Sequence, residues 1–141
     1  MKTYFDHEKL QAYQKALEFA AWSEPILERV SKSAAVHGQL DRARTSVLLN
    51  IAEGNGKFTI PDRCKYLDSA HGSALECAAC LDLLFIKKAV AEAELDEGKT
   101  LLSSAVSLLV GLIKSKSPDR FALREDAVEY RVVGDNQIEK E

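Results

Sequence analysis

One helix of this chain is predicted to end, and another to begin, around Ser46-Val47-Leu48-Leu49-Asn50-Ile51-Ala52-Glu53-Gly54-Asn55-Gly56-Lys57. Glycine has no Cβ, so Gly54 and Gly56 suit the left-handed backbone conformation that ends many helices. The Thr59 hydroxyl can cap the first turn of the next helix, where Pro61 is tolerated. We therefore expect a corner between two helices at this stretch.

Two glycines followed by a lysine also suggest a phosphate-binding loop. Such loops need a preceding strand and a longer glycine spacing, and Gly54-Asn55-Gly56-Lys57 has neither. Asn50 and Glu53 are three residues apart and lie beside the apolar stripe of their helix. We expect them to be hydrogen-bonded at the edge of the core, because an unsatisfied buried amide or carboxylate is costly.

Apolar residues recur at steps of three and four along most of the chain, which is the period of an α-helix. Pro25 should kink the first helix or loosen its last turns, because proline removes a backbone donor. Gly98 leaves open a later start of the fourth helix, near Lys99. The pattern predicts an all-α fold, an antiparallel up-down-up-down four-helix bundle. Its helices are expected over residues 6–31, 39–54, 60–89 and 93–115.

The first helix is predicted to be apolar on two faces, so it has to be covered on more than one side. Its inward stripe consists of Leu10, Tyr13, Leu17, Ala20, Leu27 and Val30. A second, adjacent stripe consists of Ala12, Ala16, Phe19, Trp22 and Ile26. In the third helix, small residues surround Gly72, and we expect them to let a neighbouring helix approach closely.

Composition bounds the class of protein. The chain has 141 residues, 46% of them hydrophobic and 29% charged, with a net charge of −3. These values fit one globular domain and do not indicate a generally basic nucleic-acid binder. The N-terminus lacks the pattern of a signal peptide, and no apolar stretch approaches the roughly 20 residues that span a bilayer. We expect a soluble cytoplasmic protein that does not associate with membranes. Residues 1–116 are predicted to form the bundle, and residues 117–141 an extension that is partly disordered or packed on the bundle.

Candidate catalytic and metal-binding groups are few. Cys77 and Cys80 share a helix face, but zinc sites use four ligands and no second pair exists, so small buried packing residues are favoured over a metal or redox pair. Glu53 and Glu76 could face one another as carboxylates do in di-iron bundles, but neither belongs to a Glu-x-x-His pair. The three histidines have no serine or cysteine at a recognisable catalytic spacing. We expect no enzymatic activity, no cofactor and no metal.

A small basic group surrounds the corner. Assembly of several copies would multiply its modest charge excess and could present a band to phosphates. The alternative, which the pattern favours, is a solvated face whose internal ion pairs contribute little to stability. The basic residues of the group are Arg42, Arg44, Lys57, Arg63 and Lys65, and the nearby acidic residues are Asp41, Glu53 and Asp62.

Five segments together resemble a known family. They are Leu10–Ala16, Gln39–Ser46, Asn50–Lys57, Tyr66–Glu76 and Gly111–Lys114. In this order, over about residues 5–116, they are similar to the four-helix bundle proteins encoded in intervening sequences of bacterial large-subunit ribosomal RNA genes. The accessory protein of diversity-generating retroelements is similar too. The matching motifs contain Asn50, Glu53, Gly54, Gly56, Gly72 and Glu76.

The resemblance implies a left-handed antiparallel four-helix bundle that assembles as a ring-like homopentamer, without an established enzymatic activity. For the retroelement relatives it implies binding of RNA or DNA, and of a reverse transcriptase, through basic surfaces. This chain departs from the family pattern at Asp41, where a basic residue is common, and at Lys57, where arginine is frequent. The favoured hypothesis is a self-assembling structural or adaptor module. The alternative is a nucleic-acid-binding accessory factor.

Overall fold

Four α-helices and one short 3-10 helix make up residues 2–118, the part of the chain that the structure, a computed structural model, describes. Each helix contacts the next along the chain, and α1 also contacts α4, so the four close into an antiparallel bundle. This confirms the predicted all-α fold. Residues 119–141, most of the predicted extension, lie outside the described part. The 3-10 helix is Asp6–Lys9, and the α-helices are α1 (Gln11–Arg29), α2 (Ala35–Asn55), α3 (Ile60–Ile86) and α4 (Glu92–Lys116).

Helix boundaries differ from the predicted ones by more than two residues at the start of the first helix, at the start of the second, and at the end of the third, where α3 ends at Ile86 and not at residue 89. The predicted first helix is divided, because Leu10 has an extended backbone (φ −71°, ψ 128°) between the 3-10 helix and α1. α2 begins at Ala35 and so includes Gly38, which the sequence placed in a linker. α4 begins at Glu92 and includes Gly98, so the later start near Lys99 does not occur.

The corner between α2 and α3 is built differently from the prediction. Gly56 has right-handed angles (φ −87°, ψ −7°), and no glycine among residues 2–118 has a positive φ. Gly54 is required for close packing instead: a Cβ there would lie 2.7 Å from the Cβ of Tyr66. Thr59 caps α3 as expected, since its side chain accepts a hydrogen bond from the Asp62 amide (3.3 Å).

One residue among residues 2–118 has a left-handed backbone conformation. It is Lys88, at the end of α3, with a φ of 62°. Its amide donates to the Phe85 carbonyl (3.0 Å), and the Ala89 amide donates to the Leu84 carbonyl (2.9 Å). These two bonds are those of a Schellman motif, whose left-handed position usually holds glycine. The turn therefore ends α3 at Ile86 although the sequence there contains no glycine or proline.

All three cysteines are buried and free, which confirms the predicted packing role. Cys64, Cys77 and Cys80 are 1%, 0% and 4% exposed among the leucines of the core. Burial, together with the nearby Cys80 and Glu76, raises the pKa of Cys77 to about 12. The Cys77 thiol is therefore protonated at neutral pH and is a weak nucleophile.

The two apolar stripes of α1 exchange their predicted roles. Leu10, Tyr13 and Leu17, from the stripe expected to face inward, are only half-buried. The stripe expected to be adjacent supplies most of the core contacts, because it is the one that faces α2 and α4. The buried residues of α1 are Ala12, Ala16, Phe19, Ser23, Ile26 and Leu27.

α3 is apolar on both faces. Its inner face contributes nine buried residues to the core. On its outer face five exposed residues recur at steps of three and four, and Leu75, Leu83 and Ile86 among them are 50%, 48% and 72% exposed. By length and composition alone α3 would be able to cross a membrane. The expectation that no stretch is so long and apolar is therefore wrong, although here the inner face is part of a bundle core. We term the five residues the outer stripe: Gly72, Leu75, Ala79, Leu83 and Ile86.

Close approach between helices occurs at Gly98 and not at Gly72. A Cβ on Gly98 would meet two ring carbons of Trp22, one of them at 2.6 Å, and would lie 2.7 Å from Cδ1 of Leu81. Gly72 is exposed, and a Cβ there would meet no atom within 4 Å. The prediction that Gly72 allows a close contact within the bundle is wrong, because this glycine lies on the outer face of α3.

Gly98→Ala is expected to destabilise the bundle by about 1 kcal/mol or more, because the cost of overpacking against the indole exceeds the gain in helix propensity. Gly38→Ala is the matched control and should stabilise by roughly 0.5–1 kcal/mol, since Gly38 is an exposed helical glycine outside the outer stripe, and an added Cβ would meet no atom within 4 Å. Urea denaturation followed by the fluorescence of Trp22, the single tryptophan, measures both. A G98A protein as stable as G38A would contradict the tight contact.

Candidate functional site

The basic residues predicted around the corner fall into two groups. Lys57, Arg63 and Lys65 lie at or just after the corner itself. Arg42 and Arg44 lie in the first half of α2, and at 1.5 Å per residue Arg42 is about 18 Å along the helix from Gly54. The five residues therefore do not form one compact patch within a single chain.

Arg44 connects α2 to α1. One guanidinium nitrogen donates to the Ala20 carbonyl (3.0 Å) and to Ser23 Oγ (3.1 Å). The other lies within ion-pair distance of Glu24 and Asp41. The side chain of Arg44 is only 13% exposed. Its donors are thus occupied by α1 and by neighbouring carboxylates, so Arg44 acts as a structural residue and presents little of its charge to solvent.

The contact of Arg44 lies where Pro25 disturbs the backbone of α1. Pro25 has no amide to bond the Ala21 carbonyl one turn earlier. α1 nevertheless continues to Arg29. Both Arg44 and Ser23 donate to the adjacent Ala20 carbonyl. The two side-chain donors thus reinforce the turn next to the carbonyl that proline leaves without a backbone donor.

Lys57 and Arg63 also make contacts within the corner. The Lys57 ammonium lies 4.9 Å from the ring centre of Tyr66 and 3.7 Å from Oε1 of Glu53. Arg63 Nε donates to the Lys57 carbonyl at 2.6 Å. Both side chains are half-buried, whereas Lys65 is exposed. These contacts fix the course of the chain between α2 and α3. They leave the charged groups of Lys57 and Arg63 half-exposed at its surface.

Asn50 and Glu53, both expected to be hydrogen-bonded at the edge of the core, have different surroundings. Asn50 Nδ2 donates to the Ser46 carbonyl (2.8 Å) and to Ser46 Oγ (2.9 Å). Ser46 Oγ in turn shares a hydrogen bond of 2.8 Å with Ser73 Oγ on α3. Asn50 is half-buried and is hydrogen-bonded as expected, but Glu53 is exposed and faces Lys57. Two serines that the sequence pattern does not single out complete this polar connection between α2 and α3.

No candidate metal cluster occurs among residues 2–118, where no group of three or more histidine, cysteine, aspartate or glutamate side chains lies close enough to hold an ion. Glu76 is exposed, as is Glu53, so the two carboxylates do not face each other inside the bundle, an arrangement that the sequence already disfavoured. Every buried side-chain nitrogen or oxygen in this part of the chain has a hydrogen-bond partner. The described residues thus offer surfaces for contact with other molecules, and their buried polar side chains already have hydrogen-bond partners.

The corner, the N-terminal segment and the end of α4 lie together at one end of the bundle. Asn55 Nδ2 donates to Asp6 Oδ2 (2.9 Å), which places the N-terminal segment beside the corner. α3 and α4 are antiparallel, are joined by a short turn and have 27 and 25 residues. The first residue of α3, Ile60, and the last residue of α4, Lys116, therefore lie at nearly the same level along the bundle axis. We term this region the corner end. It exposes Tyr4 (74%), Phe5 (66%), Phe58 (101%) and Ile60 (53%).

The charge of the chain is unevenly divided. Of its 19 basic and 22 acidic residues, four and seven respectively lie in residues 119–141. Residues 1–118 therefore have no net charge, and the acidic balance belongs to the C-terminal segment. Cations at the corner end are Lys57, Arg63, Lys65, Lys114 and Lys116.

Arg44→Met is expected to destabilise the protein by about 1–2 kcal/mol, because it removes the hydrogen bonds to α1 from a mostly buried site. Arg42→Met, on the exposed face of the same helix, is the control and should change stability by less than about 0.5 kcal/mol. Thermal denaturation followed by circular dichroism compares them. Equal midpoints for the two variants would show that the connection between α1 and α2 does not depend on Arg44.

The comparisons with known proteins agree with this architecture. Residues 8–111 match the family model described as 23S rRNA-intervening sequence protein. A similar fold occurs in the crystal structure of a protein with unknown function from the S23 ribosomal protein family, from Bacteroides thetaiotaomicron. The match has a TM-score of 0.68 and 24% sequence identity, and it covers 73% of this chain and 98% of that chain. A search of the curated proteins found no match. Since the family model spans most of the bundle, including the corner, the chain belongs to the 23S rRNA-intervening sequence protein family.

Proposed function

We propose that the protein is a non-enzymatic helical module that assembles with copies of itself through the outer stripe of α3. The observation that supports this is the apolar character of α3 on both faces. A helix that is apolar all round is normally covered on all sides. In the single chain Leu75, Leu83 and Ile86 of the outer stripe are about half exposed or more. Contiguous exposed apolar surface of this kind is typical of interaction sites.

A ring is the form of assembly that we favour. The family resemblance implies five copies, and closed rings of identical chains use two different surfaces that face each other. α1 contacts α2 and α4, so it lies diagonally opposite α3 in the bundle. Half-buried Tyr13 and Leu17 on α1 provide a second apolar surface. We infer that the outer stripe of one copy packs on α1 of the next.

Copies that stand side by side in such a ring present their corner ends on the same face. Each corner end carries exposed aromatic side chains and several lysines and arginines. Repetition of one surface raises the strength of binding to any partner that can contact several copies at once. This arrangement supports a structural or adaptor role, in which protein partners bind the repeated surface.

The double variant Leu75→Glu/Leu83→Glu is expected to separate the copies, because two carboxylates would have to be buried in the contact. Light scattering of the wild-type protein should give a multiple of the 15.6 kDa chain, and the variant should give the mass of one chain. Both substituted positions are exposed in the single chain, so circular dichroism should show unchanged helix content.

Leu49→Glu is the matched control, since Leu49 is 62% exposed on α2, outside the outer stripe. Its mass should equal that of the wild-type assembly. A wild-type mass of one chain would overturn the self-assembly proposal. A double variant that keeps the wild-type mass would place the contact somewhere other than the outer stripe, and binding of the wild-type chain to lipid vesicles would indicate a membrane as the partner of α3.

A second candidate function is that of a nucleic-acid-binding accessory factor that works with RNA, DNA or a reverse transcriptase. The observation in its favour is the division of charge: residues 1–118 are neutral, and lysines and arginines gather at the corner end. Five such ends on one face of a ring would attract phosphates through counterion release.

Titration against mixed RNA and DNA at about 50 mM salt tests this candidate, because charge-driven contacts are strongest at low salt. If the corner end binds, Lys57→Gln/Lys65→Gln should lower the affinity and reduce the salt slope by roughly one for each lysine that no longer neutralises a phosphate. Arg42→Gln, far from the corner, should change the affinity less. Absence of binding at low salt would exclude the candidate.

A further inference from the structure

Phe58 at the corner is an unusual surface residue, because its side chain is 101% exposed. Ile60, two residues further on, is 53% exposed. Among residues 2–118 nothing covers Phe58, and Ile60 is covered only in part. An aromatic ring held in solvent at a fixed corner exposes apolar area that contact with another group would remove from water.

The end of the described chain lies close to this surface. α3 begins at Ile60, and α4, antiparallel to it, ends at Lys116 at nearly the same height. Residues 119–141, 23 in number, follow directly. Since an extended residue spans up to about 3.3 Å and packed helices lie about 10 Å apart, only the first few of them are needed to reach Phe58.

The chemistry of residues 119–141 complements that of the corner end. Seven of these residues are acidic and four are basic. The corner end has more basic than acidic residues: Lys2, Lys9, Lys57, Arg63, Lys65, Lys114 and Lys116 against Asp6, Glu8, Glu53 and Asp62. Opposite charges of this kind orient a contact and apolar groups stabilise it. The apolar residues of the segment are Phe121, Ala122, Leu123, Ala127, Val128, Tyr130, Val132, Val133 and Ile138.

We propose that residues 119–141 dock on the corner end of their own chain, with their apolar side chains against Phe58 and Ile60 and their carboxylates beside Lys57, Lys65 and Lys116. The tether keeps the segment at a high effective concentration near this surface, so weak contacts suffice to hold it there. Docking does not involve the outer stripe and is independent of self-assembly.

Site-specific photo-crosslinking in the full chain tests the proposal. Phe58 is replaced by the photoreactive amino acid benzoylphenylalanine, and peptide mapping by mass spectrometry identifies the residues that it captures. Because Phe58 is completely exposed, this replacement leaves the core unchanged. Crosslinks to residues 119–141 are expected to dominate. The matched control replaces Phe85, which is 41% exposed at the opposite end of α3, and should capture residues 119–141 at background level.

Two further readings make the test decisive. Raising the salt from 0.1 M to 1 M shortens the Debye length from about 10 Å to about 3 Å and should lower the yield from position 58. An equal mixture of ¹⁴N-labelled and ¹⁵N-labelled chains should give crosslinks within one label only. Crosslinks between differently labelled chains would overturn docking within one chain. Equal yields from positions 58 and 85 would overturn docking at the corner end altogether.

Discussion

The close contact of α2 and α3 at the corner determines much of what this bundle presents to its surroundings. Gly54 lets the backbone of α2 lie against Tyr66, with only 2.7 Å available to a Cβ. Further along the two helices, the Ser46 and Ser73 hydroxyls are 2.8 Å apart. Together with the buried residues of α2 and α3, this contact sets the rotation of each helix about its axis. With that rotation, the inner face of α3 lies in the core and its outer stripe lies in solvent.

This rotation leaves α3 with more apolar surface than a single chain covers. Nine residues of α3 are buried, and the outer stripe is still apolar over four turns. α1 has the opposite arrangement, because its core face holds alanines at Ala12 and Ala16 and its side holds the larger Tyr13 and Leu17. The bundle therefore has apolar surface on two opposite helices. Such a division suits repeated contact between identical copies, in which the same two surfaces meet each time.

Charge is separated along the chain in a way that the net value hides. The bundle is neutral, and the acidic excess lies entirely in residues 119–141. Within the bundle, Arg44 is used to connect α1 and α2 at the turn before Pro25, so it contributes packing and hydrogen bonds more than surface potential. Lys57, Lys65 and Lys116 remain available at the corner end. The net charge of −3 is thus a poor guide to how this protein interacts with phosphates or carboxylates.

Apolar period and capping residues predict the all-α fold, four helices to within a few residues, the corner and the Thr59 cap, because both signals depend on local spacing. The helical pattern also predicts the burial of Cys64, Cys77 and Cys80. Which stripe of α1 faces inward depends on contacts between helices, since periodicity gives the spacing of a stripe and not its direction. Likewise Gly98 rather than Gly72 proved to be the site of close approach, because Trp22 lies against α4 there. The hydrogen bond between Arg44 and Ser23 joins residues 21 apart in sequence, so local pattern could not predict it. Local pattern could not predict the left-handed backbone of Lys88 either, because no glycine marks that position.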